Sequence, residues 1–358
     1  MRLVHADGPL AAQSSAWGVP VTSVRDLPRR FPEAHLIPTT LLRAPALDRR
    51  ADPALGTRVW LALESLQVTG SFKVRGALVA LAEARERRGS RVRVIAASAG
   101  NHGAGVAYAA KALGIHATVV MPTGAPAAKR ARVLRYGSEL LEVPTPHYDD
   151  AEAHAVALAG ETDALFVSPY DDPFVAAGNG GSLGFEIARA LGKAPDVVLC
   201  PFGGGGLASG LGWSLSVIGH DGAGSRACVW GVQSEASPGM ALSLARGAAV
   251  TRLDAGGETL AEGLEGGISE TGFARARAEI AGVVVVSEVA IAHAMGFALH
   301  ELGLVLEGSA ATSLVPVLAG LPKSLVGSDA SAGADVVVVL TGRNVDRDRL
   351  LRLPRNED

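Results

Sequence analysis

The chain has 358 residues, enough for one large or two modest domains with ample core. A net charge of −3 excludes a nucleic-acid surface as its main feature, because phosphate binding needs a basic face. Two cysteines, Cys200 and Cys228, are too few for a disulfide framework or a zinc site and fit a reducing compartment. Asp7, Gly8 and Pro9 break the apolar N-terminal stretch, which is therefore not a signal peptide, and no apolar run approaches the length of a membrane span. A cytoplasmic protein without membrane contact is expected.

Residues 1–51 mix Pro, Arg and short apolar stretches and give no clear period. Residues 59–63 read as a buried strand, and residues 77–87 repeat apolar positions at helical spacing. Strands follow at 92–97, 117–121, 139–143 and 165–168, with helices at 102–113, 127–136 and 150–160. A second set of strands is expected at 197–200, 229–232, 283–286 and 336–340. The valine runs 283–286 and 336–339 lack polar alternation, as strands covered on both faces do. Strands alternating with helices predict an α/β fold of βαβ units with parallel sheets. Two such sets imply two lobes with a cleft between them.

Between the first strand and its helix lies Thr69-Gly70-Ser71-Phe72-Lys73-Val74-Arg75-Gly76-Ala77. Strand-to-helix junctions are where α/β proteins carry chemistry. Apart from Arg75, the neighbours of Lys73 are small or apolar. Poor solvation lowers the pKa of the ammonium and leaves more of the neutral amine that a Schiff base needs. The alternative is a strand-end lysine whose head reaches water. Lysines are scarce (Lys73, Lys111, Lys129, Lys193 and Lys323), which makes this one informative.

Three more segments follow strands. Ser98-Ala99-Gly100-Asn101-His102-Gly103 opens a helix, and its N–H groups suit an anion; a plain cap by Asn101 is the other reading. Phe202-Gly203-Gly204-Gly205-Gly206-Leu207-Ala208 costs folding entropy, which a phosphate cradle ahead of a helix would explain. A dinucleotide fingerprint formally matches too, but it expects an acidic residue ending the next strand, and Glu235 falls beyond the expected end near Gln233. Thr341-Gly342-Arg343-Asn344-Val345-Asp346 closes the last strand; a turn would use the same residues.

Together and in this order, the four segments resemble the motifs of the pyridoxal-phosphate serine/threonine dehydratases, a fold-type II family that includes serine racemase. The resemblance spans residues 39–346. It implies a large cofactor-binding domain from residues 1–90 plus 170–358 and a small domain from 91–169. The chain ends twelve residues after Asp346, so no C-terminal regulatory domain is expected. The implied cofactor is pyridoxal 5'-phosphate, held by Lys73 as the catalytic residue, with Phe72 packing near the ring. Ser98, Ala99, Gly100, Asn101 and His102 would bind the substrate carboxylate, and Asn101 the cofactor's phenolic oxygen. Gly203, Gly204, Gly205, Gly206 and Leu207 would hold the phosphate, and Thr341 would face the pyridine nitrogen. Gly263 would lie near the lysine and Glu307 near the ring; a helix-terminal role would also account for Glu307.

A hydroxyl at the ring nitrogen does not keep it protonated, so the ring is a weaker electron sink, which favours elimination over transamination. The implied reaction is β-elimination of water from L-threonine or L-serine to a 2-oxo acid and ammonia. Alternatives are ammonia loss from another 3-hydroxy amino acid, a β-replacement synthase, and a non-catalytic sensor on the same fold. The family is commonly a homo-oligomer, dimeric or tetrameric. The sequence departs from the family's patterns in three respects. Ala99 stands where members that racemise serine carry a second serine. Gln233 and Gly239 stand where metal-binding members carry carboxylates, so no tight metal is expected. Gly178-Asn179-Gly180-Gly181 replaces the common Gly-Gln-Gly-Thr, with no consequence that the sequence defines.

Overall fold

The computed structural model describes residues 1–6, 17–51, 56–221, 227–253, 257–326 and 333–354. The Asp7-Gly8-Pro9 break and the last four residues lie outside them. The larger sheet contains β1 (Arg2–His5), β2 (Leu41–Arg43), β3 (Arg58–Ala62), β8 (Val197–Pro201), β9 (Cys228–Ser234), β10 (Gly282–Val286) and β11 (Asp335–Val339). The smaller contains β4 (Arg93–Ala97), β5 (His116–Pro122), β6 (Glu139–Val143) and β7 (Leu165–Phe166). Their strand orders are β1-β10-β9-β8-β11-β3-β2 and β6-β5-β4-β7.

All pairings are parallel except the two outermost of the larger sheet, where β1 runs antiparallel to β10 and β2 to β3. Every residue of β8, β10 and β11 is buried, as their valine-rich, non-alternating runs require. The two edge strands come from the N-terminal segment that has no readable period; each is three or four residues long and held by a longer neighbour.

Two boundaries change the reading of the site. The helix expected from residue 77 begins at Lys73 and runs Lys73–Arg88. The strand expected to end near Gln233 continues to Ser234, so Glu235 follows it directly and the spacing objection to a dinucleotide site weakens. What remains against that site is that Glu235 Oε1 accepts from the Glu288 N–H at 3.4 Å.

Candidate active site

Parallel sheets gather the carboxyl ends of their strands along one edge, and every candidate segment leaves such an end. After β3 and β11, neighbours in parallel register, the chain zips two of them together. Phe72 N–H donates to Thr341 O at 3.1 Å and Arg343 N–H to Gly70 O at 2.9 Å, around a Ser71–Gly342 bridge. Lys73 is thereby fixed beside the terminal segment. Its half-buried Nζ donates to Pro169 O at 3.3 Å and lies 5.3 Å from the Phe72 ring centroid.

Burial pulls the Lys73 ammonium down to about 8, and the negative charge of Glu307 opposes that shift. The desolvation argued from the sequence is thus present, and the amine has not escaped to bulk water. The sign is simple: below about pH 8 the group is an ammonium, above it a nucleophile. In cofactor-free protein, competitive acylation should give half-maximal labelling of Lys73 near pH 8. Reactivity rising only near the ordinary 10.5 would mean a solvated amine.

Asn101 does not cap its helix. The cap position of the Asn101–Leu113 helix is Gly100, and no side chain closes it. Asn101 Nδ2 instead donates to both oxygens of Glu307, at 2.8 and 3.0 Å. Asn101 Oδ1 accepts from Asn344 Nδ2 at 2.7 Å, and the same nitrogen donates to Thr69 O at 3.0 Å. Glu307 starts a four-residue helix without a side-chain cap bond, so its carboxylate serves this cluster. Burial raises its pKa, against the hydrogen bonds from Asn101 and the Asn344 backbone. The cluster joins the smaller sheet's first loop to the larger sheet's last. Asn344, in the quoted motif but given no role, is its connecting member.

His102 is buried, with Nε2 2.9 Å from Val167 O. A carbonyl only accepts, so Nε2 carries the proton and Nδ1 is bare. Burial, aided by the positive charge of Lys73, lowers its pKa to about 3, so the ring is neutral. Only its backbone, in the first helical turn, is oriented for an anion. Ser98 Oγ accepts from the Gly100 N–H at 3.0 Å, and Ala99 and Gly100 are partly exposed.

Of the tetraglycine run, Gly203 and Gly204 are partly exposed, while Gly205, Gly206 and Leu207 are buried at the start of the Gly206–Asp221 helix. Gly205 has φ +91°, a region that only glycine enters cheaply. A Cβ on Gly204 would lie 2.6 Å from Tyr170 Cγ, so the Tyr170 ring covers the loop. Tyr170, in the loop after β7, donates its hydroxyl to Glu152 at 3.2 Å. A Cβ on Gly203 would sit 3.3 Å from Gly263 O; Gly263 itself is exposed and donates its N–H to Ser309 Oγ at 2.9 Å. Thr341 is buried two residues beyond the end of β11. Gln233 is engaged by backbone, accepting from Ala241 N–H and donating to Phe202 O. Among the described residues no group of three His, Cys, Asp or Glu side chains is arranged to hold a metal.

A family model described as pyridoxal-phosphate dependent enzyme matches residues 33–342, most of the chain. The chain belongs to the pyridoxal-phosphate dependent enzyme family. It is 37% identical to an L-threonine ammonia-lyase of Thermotoga maritima over 306 residues, 83% of this chain and 70% of that one. Its fold superposes on the processed threonine deaminase isoform 2 of Solanum lycopersicum with a TM-score of 0.81 and 28% identity, covering 98% and 91% of the two chains. For maize serine racemase the TM-score is 0.78 and the identity 26%, covering 93% and 96%. As a member of this family the chain uses pyridoxal 5'-phosphate, and its residues fit that group. Around a half-buried amine, two buried polar atoms, Ser71 Oγ and His102 Nδ1, lack any protein partner among the described residues. A glycine loop opens the Gly206–Asp221 helix against Tyr170, the residue after the Pro169 whose carbonyl accepts from Lys73 Nζ, and such a loop suits a phosphate. No described helix is long and apolar enough to cross a membrane.

Proposed function

We propose that the chain is a pyridoxal-phosphate ammonia-lyase that removes water from L-threonine or L-serine and yields the 2-oxo acid and ammonia. The observation that carries this reading is the Lys73 amine, depressed to about 8 and enclosed beside the Asn101–Glu307–Asn344 cluster. When bound, the cofactor would supply an aldehyde carbon for amines and a ring that withdraws electrons from the substrate's Cα. Lys73 would hold the cofactor at that carbon, and its free Nζ would be the base for the substrate's Cα proton. With a pKa of about 8, roughly a tenth of the amine is neutral at pH 7, far more than the ordinary 10.5 would leave. The N–H groups at the start of the Asn101–Leu113 helix orient the substrate carboxylate. Asn101, steadied by Glu307 and Asn344, fixes the ring's tilt, while Thr341 offers a neutral hydroxyl rather than a carboxylate. Gly203–Gly206 and Leu207 receive the phosphate, and Phe72 packs at the ring. In the same proposal residues 91–169 act as the small lobe of a cytoplasmic homo-oligomer.

Elimination without racemisation follows from two residues. Exchange of the Cα configuration needs a proton donor on the face opposite Lys73. Ala99 carries no exchangeable proton, and His102 turns its only N–H to Val167 O. Supplied with L-serine, the protein should form pyruvate with D-serine at trace level, because a missing donor forfeits about 10²–10⁴ in rate. Ala99→Ser should raise the D-serine share. Comparable pyruvate and D-serine from the unmodified protein would contradict the assignment. A panel of β-hydroxy amino acids, read by ammonia release, tests the function itself; release from none of them would reject it.

A further inference from the structure

The Gly178-Asn179-Gly180-Gly181 stretch takes no part in the site described above. Residues Ala177–Gly181 form a single π-helical turn, a conformation found mostly as isolated turns at functional sites. The turn is wedged between the Lys73–Arg88 helix and the Gly206–Asp221 helix that opens at the tetraglycine loop. On one side, a Cβ on Gly180 would lie 2.6 Å from Leu211 N and 2.8 Å from Gly210 Cα. On the other, a Cβ on Gly178 would lie 2.7 Å from Gly76 Cα. Backbone therefore meets backbone on both faces, with no compliant side-chain layer to absorb a displacement.

Asn179, 1% exposed, fixes this wedge in register. Its Oδ1 accepts from Gly76 N–H at 2.9 Å. Gly76 is three residues beyond Lys73, in the first turn of the helix, so this bond reaches the lysine helix at its start from outside it. We propose that Asn179 is a positioning residue that sets Lys73 at its working distance from the phosphate loop, by pinning the first turn of the lysine helix to the turn that also abuts the loop's helix. The inference rests on the reading of Lys73 as the cofactor lysine. Asn179→Ala removes the bond from outside the helix and opens a void where Asn179 packs against Gly76, so the helix start loses its register. A misplacement near 1 Å can cost about 10²-fold in rate.

The test compares the unmodified protein with Asn179→Ala, Asn179→Asp and Leu325→Ala, below the lowest melting temperature. Asp keeps an acceptor oxygen in place. Leu325 is fully buried in the core beneath the larger sheet and serves as a control for lost stability. Asn179→Ala should lower kcat by about 10²-fold with little change in substrate KM. It should also move the Lys73 acylation midpoint in cofactor-free protein from about 8 towards the ordinary 10.5. Asn179→Asp should recover most of both effects, whereas Leu325→Ala should lower only the melting temperature. Should Asn179→Ala not fold, Asn179→Ser, with a shorter and weaker acceptor, should shift the midpoint the same way. The acylation readout needs neither cofactor nor turnover. A shifted midpoint in a protein that eliminates nothing would support the role of Asn179 while rejecting the activity. An active protein whose midpoint and kcat are untouched by Asn179→Ala overturns the inference.

Discussion

Lys73→Ala should abolish the visible absorbance of protein reconstituted with pyridoxal phosphate and lower elimination by about 10⁴-fold. Both losses have one origin, because the amine that holds the aldehyde carbon also takes the Cα proton. Lys73→Arg should fail as badly, since a guanidinium keeps the charge but cannot deprotonate or condense. Neither loss should come from unfolding. Burial disfavours the Lys73 ammonium, so removing it relieves a cost below pH 8 and the cofactor-free variant should melt no lower than its parent. Retained absorbance and turnover in Lys73→Ala would transfer the role to another amine.

Arg75→Ala is expected to cost about 3–5 kcal/mol of stability, the penalty for stranding buried charge. The Arg75 guanidinium is fully buried and held by two carboxylates. Nε and Nη2 donate to Glu64 at 2.7 and 2.9 Å, and Nη1 and Nη2 to Glu186 at 3.0 and 2.9 Å. Nη2 also donates to Thr39 Oγ1 at 2.8 Å, and Thr39 N–H donates to Glu186 at 2.7 Å. The cluster thus ties the lysine helix to the Ser182–Leu191 helix and to the segment entering β2. Burial pushes the Glu186 pKa up, but the charge and hydrogen bonds of Arg75 outweigh it, and the net shift is downward from 4.5. A depressed carboxylate contributes stability above its unfolded pKa and loses it as pH falls through its folded one. Without Arg75 the two carboxylates repel and are desolvated, and protonation relieves them. The gap between parent and variant in denaturant melts should therefore narrow as pH falls. It narrows first above 4.5, as the variant's carboxylates protonate, and then below it, as the parent loses the Arg75 pairing. A gap independent of pH would mean that packing, not charge, holds this junction.

The parallel strands were legible because β8, β10 and β11 are apolar on both faces, a pattern with one structural solution. The edge strands β1 and β2 were not, since their short runs become strands only when Val283 and Leu61 offer a paired backbone. The lysine helix begins four residues early for a related reason. Val74 and Gly76 are poor helix formers, yet Gly76 is demanded by the close approach of Asn179, about a hundred residues away. Lys73, the Asn101 loop, the tetraglycine loop and Thr341 each leave a strand end within one local motif and could be read from it. Tyr170, Glu152, Asn344 and Asn179 act through partners distant in sequence, and no local spacing announces them.

The central claim concerns one bond, between the cofactor and a lysine. Reconstituted protein reduced with borohydride, digested and mapped by mass spectrometry should carry the pyridoxyl label on Lys73 alone among the five lysines. A label on Lys111 or Lys129, or on no lysine in a protein that still eliminates water, would contradict the account.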